Sequence, residues 1–451
     1  MKVHQIRAIR ALAVFAAFMV SSVASAATAT SVTQWGITWT FDKAYEVGQY
    51  ANGDYWVVGP VTITDISPRS TTSGGRVMHG TQLNPGRDSV QGYDSGKSSM
   101  SYSSSLNVAP SITGRPLHVT TGSVVSSISL ENPPSSGLPL LKTLAVLTVV
   151  SAPPPAGSFR PSPYGTDKTS YWKESDLDYS ILRSLPTVSG TPSLAEVTAG
   201  VRRFYNEQST SWQARTIHAQ DNQPEYGRDI ANRVGIALLS LHLDYSLAQK
   251  RDLYVYLVQM GLDIYGAAAN GRRWGADGGH NHGRKMPMLL AALALKDPNI
   301  RAMADASRNF IFQEDHQTFY VSQADVNRSR YNGDGRRRDP YTSSMIGMPE
   351  WGEKHNSAPE RDGSNWDAYY RWVGSGFASH ALMAHLTADA VNVWNWPAFF
   401  DYTDRFVRQG SPSGGTNGIP AFVQSMWKAY RDLEGGPPRS FEPEPPQLSV
   451  Q

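Results

Sequence analysis

The sequence predicts a multi-domain α + β protein, with an N-terminal antiparallel β region followed by an (α/α) toroid-like helical domain. Three observations carry that expectation. From Val32 to about Ser151 the chain reads as short β-branched and aromatic runs broken by Gly, Pro, Asn and Ser. Beyond about Lys173, apolar residues recur at spacings of three and four. A proline-dense stretch divides the two textures. With 451 residues the chain can bury one large core or two smaller ones.

Residues 1–26 carry Lys2, Arg7 and Arg10, an apolar run from Ala11 to Val20, and then Ala24-Ser25-Ala26. This is the tripartite pattern of a secretory signal peptide, so the mature chain is expected to begin near Ala27 and to be periplasmic or secreted. No later run of about 18 uncharged apolar residues occurs, and no membrane span is expected. The absence of cysteine excludes disulfides, thiolate metal sites and cysteine nucleophiles. A formal net charge of +2, with 18% charged residues, gives no whole-protein field that would attract nucleic acid.

Within residues 27–151, "WGITWTF", "DYWVVGPVTIT", "SVVSSISL" and "LKTLAVLTVV" are the clearest strands. Residues 152–172 read as a linker or a strap over the surface, because "SAPPPAGSFRPSPYGTD" has five prolines, too many for a helix or a central strand. Residues 173–434 hold about eight amphipathic helices, including "RDIANRVGIALLSLHL", "SLAQKRDLYVYLVQMGLDIYGAAA", "KMPMLLAALAL" and "NIRAMADASRNFIFQ". No strands interleave, which fits a bundle or a toroid of helical hairpins. Residues 435–451 are expected to be disordered.

Three polar, irregular segments interrupt the helices. The first, "GADGGHNHGRKMP" at residues 275–287, places His280, Asn281, His282, Arg284 and Lys285 at a helix mouth, where free N–H groups and the helix dipole favour an anion. The second, residues 327–360, includes Arg338, Tyr341, Trp351 and His355. The third, "NWDAYYRWVGSGFASH", includes Trp366, Tyr369, Tyr370, Arg371 and His380. Clustered Trp, Tyr and Arg suit a carbohydrate cleft, since sugar faces stack on rings and hydroxyls bond to polar edges. Cleavage of an acidic polysaccharide by β-elimination needs a neutraliser for the uronate carboxylate, a base for the adjacent carbon's proton, and an acid for the departing oxygen. Asn, His and Arg suit the first role; Tyr and His suit the others.

"HNH" followed by "MPMLLAALAL" resembles the asparagine-histidine pair heading an inner helix in alginate-lyase-like (α/α)-toroid polysaccharide lyases. The resemblance implies that Asn281 neutralises the carboxylate and that His282 is a base candidate. It further implies an arginine and a catalytic tyrosine, for which Tyr370 with Arg371, or Tyr341 with Arg338, both qualify. The expected substrate-binding set is His280, Arg284, Lys285, Arg338, Trp351, His355, Trp366, Tyr369 and His380. No cofactor and no catalytic metal are expected.

Other readings of the same residues remain. His280 and His282, with Asp277 and Glu350, could hold a metal, or the histidines could cap backbone groups at a glycine-rich helix start. His242 reads as a satisfied core residue. An inverting glycoside hydrolase would need two carboxylates roughly 6.5 to 9.5 Å apart, drawn from Asp277, Glu350, Glu360 and Asp362. A non-catalytic glycan-binding envelope protein is the third alternative.

Overall fold

The computed structural model describes residues 27–86, 88–327, 341–351, 368–409 and 418–433, with backbone alone at 368–373 and 409. The β region comprises β1 (Ala27–Gln34), β2 (Ile37–Gln49), β3 (Tyr55–Val58), β4 (Val61–Ser67), β5 (Thr71–Ser73), β6 (Arg76–Met78), β7 (Thr81–Leu83), β8 (Val90–Gln91), β9 (Ser101–Tyr102), β10 (Leu117–Val119), β11 (Gly122–Ser129) and β12 (Leu141–Val150). Eight of these form one curled sheet in the order β10-β4-β2-β3-β12-β11-β7, with β1 also on β2. Its pairings are antiparallel except for β3 with β12, which is parallel and corrects the all-antiparallel expectation.

Strand β12 shows why the two halves fold together. Side chains alternate across a strand. Ala145, Leu147 and Val149 therefore join Trp39, Val57 and Ile63 in a core of the sheet's own. Leu144 and Val146 point the other way, into the helical core beside Val258 and Leu289. The stretch 144–147 is apolar on successive residues because both faces of the strand are covered.

The helices are α1 (Pro110–Thr113), α2 (Leu194–Val201), α3 (Gly227–Ser240), α4 (Leu247–Ala269), α5 (Lys285–Ala294), α6 (Pro298–Ala304), α7 (Gln313–Gln317), α8 (Gln323–Val326), α9 (Ala368–Leu386), α10 (Ala390–Trp394), α11 (Pro397–Gln409) and α12 (Ala421–Tyr430). A further two-stranded pair joins β13 (Thr318–Tyr320) to β14 (Pro349–Trp351). Ser246 caps α4 in a reciprocal box with Gln249, as its sequence foretells. Two expected helices break. "NIRAMADASRNFIFQ" stops at Ala304, and "GFASHALMAHLTADAVN" divides at Asp389, whose φ of 62° is left-handed. Helices α3 and α9 lie side by side and parallel: Ala231 faces Gly376, and one turn on Gly235 faces Ser379. Glycine at 235 and 376 permits that approach. Among the described residues no helix is long and apolar enough to cross a membrane.

The proline-rich stretch is a strap packed against the protein, exposed at 152–153 and buried at 158–161. Phe159 and Arg160 are each 1% exposed. Arg160 Nε lies 2.6 Å from Asp54 Oδ2 after β2, and its Nη2 lies 2.5 Å from Asp263 Oδ2 on α4. Burying a guanidinium between two carboxylates is tolerable because both charges are matched at hydrogen-bond distance. The strap thus fastens sheet to helices.

Candidate functional site

The glycine-rich segment 275–284 turns between α4 and α5 and delivers its side chains to the N-terminal ends of α3 and α5. Gly283, with φ of 86°, passes so close to α3 that a Cβ would lie 2.6 Å from Ala231 Cα. Gly227, the first residue of α3, sits against the carbonyl of His280.

Short helix α7 supports this loop from below. Its sequence "QEDHQ" is polar, yet Gln313, Glu314, Asp315 and Gln317 are all buried. Gln313 Oε1 accepts from the Asn281 N–H at 2.9 Å, and Glu314 Oε1 accepts from the Gly283 N–H at 2.8 Å. Asp315 accepts from Lys285 Nζ at 2.8 and 2.6 Å and from Trp394 Nε1 at 2.8 Å. Gln317 Oε1 lies 3.0 Å from His282 Nε2. Burial pushes the Glu314 carboxyl up to about 7. Its Oε2 has no hydrogen-bond partner among the described residues.

Asn281 is 2% exposed, and its amide is used in place. Nδ2 donates to the Gly275 carbonyl and Oδ1 accepts from the Ser211 N–H, each at 2.7 Å. Among the described residues this amide has no face open to a uronate. His282 is fully buried, its ring 4.7 Å from that of Phe377, and desolvation pushes its imidazole down to about 3. Arg284 and Lys285, expected to hold an anion from outside, hold internal ones instead. Arg284 pairs with Glu207, and Lys285 with Asp315. His380 is also buried, with Nε2 3.0 Å from the Ala231 carbonyl oxygen, and burial pushes it down to about 4.

His280 is 7% exposed and packs against a half-buried tyrosine. Its ring meets that of Tyr226 at 4.7 Å in an edge arrangement, and Tyr226 is half-buried just before α3. The guanidinium carbons of Arg215 and Arg228 lie 5.5 and 5.2 Å from the Tyr226 ring centroid. Trp212, 44% exposed, adjoins Arg215 at 5.8 Å, and its backbone N–H donates to Asp277 Oδ2 at 3.3 Å. Arg215 pairs with Glu225, and Arg228 with Asp229. A phenol, an imidazole, two guanidiniums and an indole share this edge.

The remaining expected residues are dispersed. Tyr341 is buried, and its phenol is pushed up by burial and by Glu350, so it does not ionise near neutrality. Trp351 on β14 is buried as well. Arg338, His355 and Trp366 lie outside the described residues, as do Glu360 and Asp362; Tyr369, Tyr370 and Arg371 lie on α9, their side chains outside it too. His280 and His282 contact different rings, and among the described residues no group of three His, Cys, Asp or Glu could hold a metal ion. Asp277 and Glu350, the hydrolase candidates, are buried and bonded to the backbone N–H groups of Trp212 and Trp351. His242 is a satisfied core residue, as read: its Nδ1 accepts from the Arg183 N–H at 3.0 Å and its Nε2 meets Thr387 Oγ1 at 3.1 Å.

Sequence reasoning missed Glu207, Glu314, Gln317 and Trp212. The one signal for α7 is a six-residue run of polar side chains between Phe312 and Phe319. No family model, curated protein or solved structure matches the chain.

Proposed function

We propose that the protein is a secreted polysaccharide lyase that cleaves a uronate-containing polysaccharide by β-elimination, on a helical domain of toroid type. The observation that carries the reading is the Tyr226–His280 edge with Arg215 and Arg228 beside it. Parallel α3 and α9 support it, since the inner helices of a toroid run side by side in one direction. A guanidinium next to the phenol neutralises the substrate carboxylate and so acidifies the hydrogen on the adjoining carbon. Tyr226, entering the step as its phenolate beside the two guanidiniums, takes that proton. A carbon–carbon double bond forms as the bond to the glycosidic oxygen breaks, and the proton passes to the leaving oxygen. No co-reactant is consumed. His280 positions the phenol, and Trp212 offers a face for a sugar ring.

A second reading, a non-catalytic glycan-binding protein, is favoured by the burial of Asn281 and His282. One assay separates the two. Purified protein is incubated with alginate, glucuronan, pectate and glycosaminoglycans while near-ultraviolet absorbance is followed. A lyase generates an unsaturated uronide that absorbs there; a hydrolase yields only reducing ends, and a binding protein yields neither. No absorbance rise on any polymer overturns the lyase reading.

A further inference from the structure

A second cluster, away from the helix mouth, sits where the sheet meets the helices. The β1–β2 hairpin turns through Trp35 and Gly36, since Gln34 pairs directly with Ile37. Both turn residues have positive φ, 51° and 83°. Such turns favour Asn, Asp or Gly at the first position, because a bulky side chain is strained there. Tryptophan is an outlier, and strain of this kind points to a role. The Trp35 ring carries the guanidiniums of Arg202 and Arg203 at 4.8 and 4.3 Å from its centroid.

The two arginines follow α2. Arg203 also pairs with Asp221 at 3.1 Å, whereas Arg202 is exposed and has no carboxylate partner among the described residues. A shallow recess adjoins them, lined by Asn52, Tyr256 and Met260 and floored by Arg160. The support beneath is rigid: Gln34 Nε2 donates to Asp54 Oδ1 at 2.7 Å, and Asp54 holds Arg160. An indole that orders two guanidiniums lowers the rotamer entropy lost when either binds an oxyanion. A planar fork so held matches a carboxylate.

We infer that Trp35, Arg202 and Arg203 form a second anion site, at the seam between sheet and helices, which holds a carboxylate-bearing stretch of the acidic polysaccharide. The choice of ligand rests on the function proposed above. The site binds chain remote from the Tyr226 edge and so favours long polymers over short ones.

The test is native electrophoresis through gels containing polygalacturonate, alginate or hyaluronate, with neutral dextran as control, for wild type, Arg202→Gln and Arg202→Lys. Exposure of Arg202 makes loss of folding an unimportant concern. Wild type is expected to be retarded in an acidic gel and not in dextran. Arg202→Gln is expected to bind about tenfold more weakly, the effect of one charge-assisted hydrogen bond pair, and Arg202→Lys to recover part of it. Equal retardation of wild type and Arg202→Gln overturns the site, as does no retardation in any acidic gel. Equal retardation by a gel of duplex DNA also overturns it, showing unselective polyanion binding. Retardation without any absorbance rise on the same polymers leaves the seam site standing and removes the lyase reading alone.

Discussion

Arg284 and Glu207 form an ion pair in the interior, with Arg284 Nε 3.1 and 3.2 Å from the two carboxylate oxygens. Trp274 Nε1 donates to Glu207 Oε2 at 2.9 Å, and Arg284 Nη1 donates to the His282 carbonyl at 2.6 Å. The pair therefore spans from the segment after α2 to the loop that carries His280, and it fixes the height of that loop. Removing one member leaves an uncompensated buried charge. Glu207→Gln is expected to cost about 3–5 kcal/mol of stability, read from urea denaturation midpoints. A loss below about 1 kcal/mol would show that the pair is dispensable.

Tyr226→Phe removes only a hydroxyl from a half-buried ring, so the fold should persist. Elimination activity should fall by on the order of 10²- to 10⁴-fold, the usual contribution of a positioned proton-transfer group. Full activity in the phenylalanine variant would move the chemistry elsewhere.

Asn281→Ala separates a site role from a structural one. Its amide bonds to the Gly275 carbonyl and the Ser211 N–H. Leaving these groups buried and unpaired is expected to cost roughly 1–3 kcal/mol. Thermal melting should register the loss. If stability is unchanged while activity vanishes, the amide acts on substrate, as the sequence resemblance implies.

Each buried histidine should favour the folded state less as pH falls. His242 and His282 are pushed down to about 3 and His380 to about 4, all by burial. Between those values and the ordinary histidine value near 6.5, the unfolded chain binds protons that the folded chain refuses, so stability is lost as pH falls through that window. Each histidine contributes about 1.4 kcal/mol per pH unit there. Glu314, raised to about 7, acts oppositely, because its folded form holds a proton that the unfolded one releases above its ordinary value of 4.5. Asp263, raised to about 6, and Glu207, Asp315 and Asp404, also raised by burial, act in the same sense as Glu314. His218 and His79, lowered by burial, side with the other histidines, so the quantity to measure is one histidine's share and not the net slope. His282→Gln should reduce the slope by about 1.4 kcal/mol per pH unit between roughly pH 4 and 6, and an unchanged slope would refute the burial argument.

The strap should resist trypsin under native conditions. Lys168 is the potential cleavage site, since Pro161 already blocks cutting after Arg160; its Nζ donates to the carbonyls of Ser162 and Gly165, each at 2.9 Å. Rapid cutting after Lys168 in the folded protein would restore the linker view.

Much of the architecture is legible in the residues because periodicity is a local property. The change from alternating runs to spacings of three and four separates a strand-rich N-terminal region from a helical C-terminal one, and Ser246 with Gln249 marks the start of α4. The sequence left linker and strap both open for a physical reason: five prolines exclude helix and central strand, yet they say nothing about burial, which depends on partners roughly 100 residues away at Asp54 and Asp263. The candidate site was legible only in part. His280 was found, but Tyr226 belongs to the segment before α3, and only the fold brings the two rings together.

By itself the sequence determined the two textures, the absence of any thiol chemistry, and the concentration of polar side chains in the 275–285 loop, because composition and spacing are written along the chain. Only the tertiary structure decided which of those side chains face inward. His280 and His282 are two residues apart, yet one meets half-buried Tyr226 and the other is enclosed by Gln317 and Phe377. Burial and charge pairing depend on groups distant in sequence, and they turned Arg284 and Lys285 from anion receivers into partners of Glu207 and Asp315.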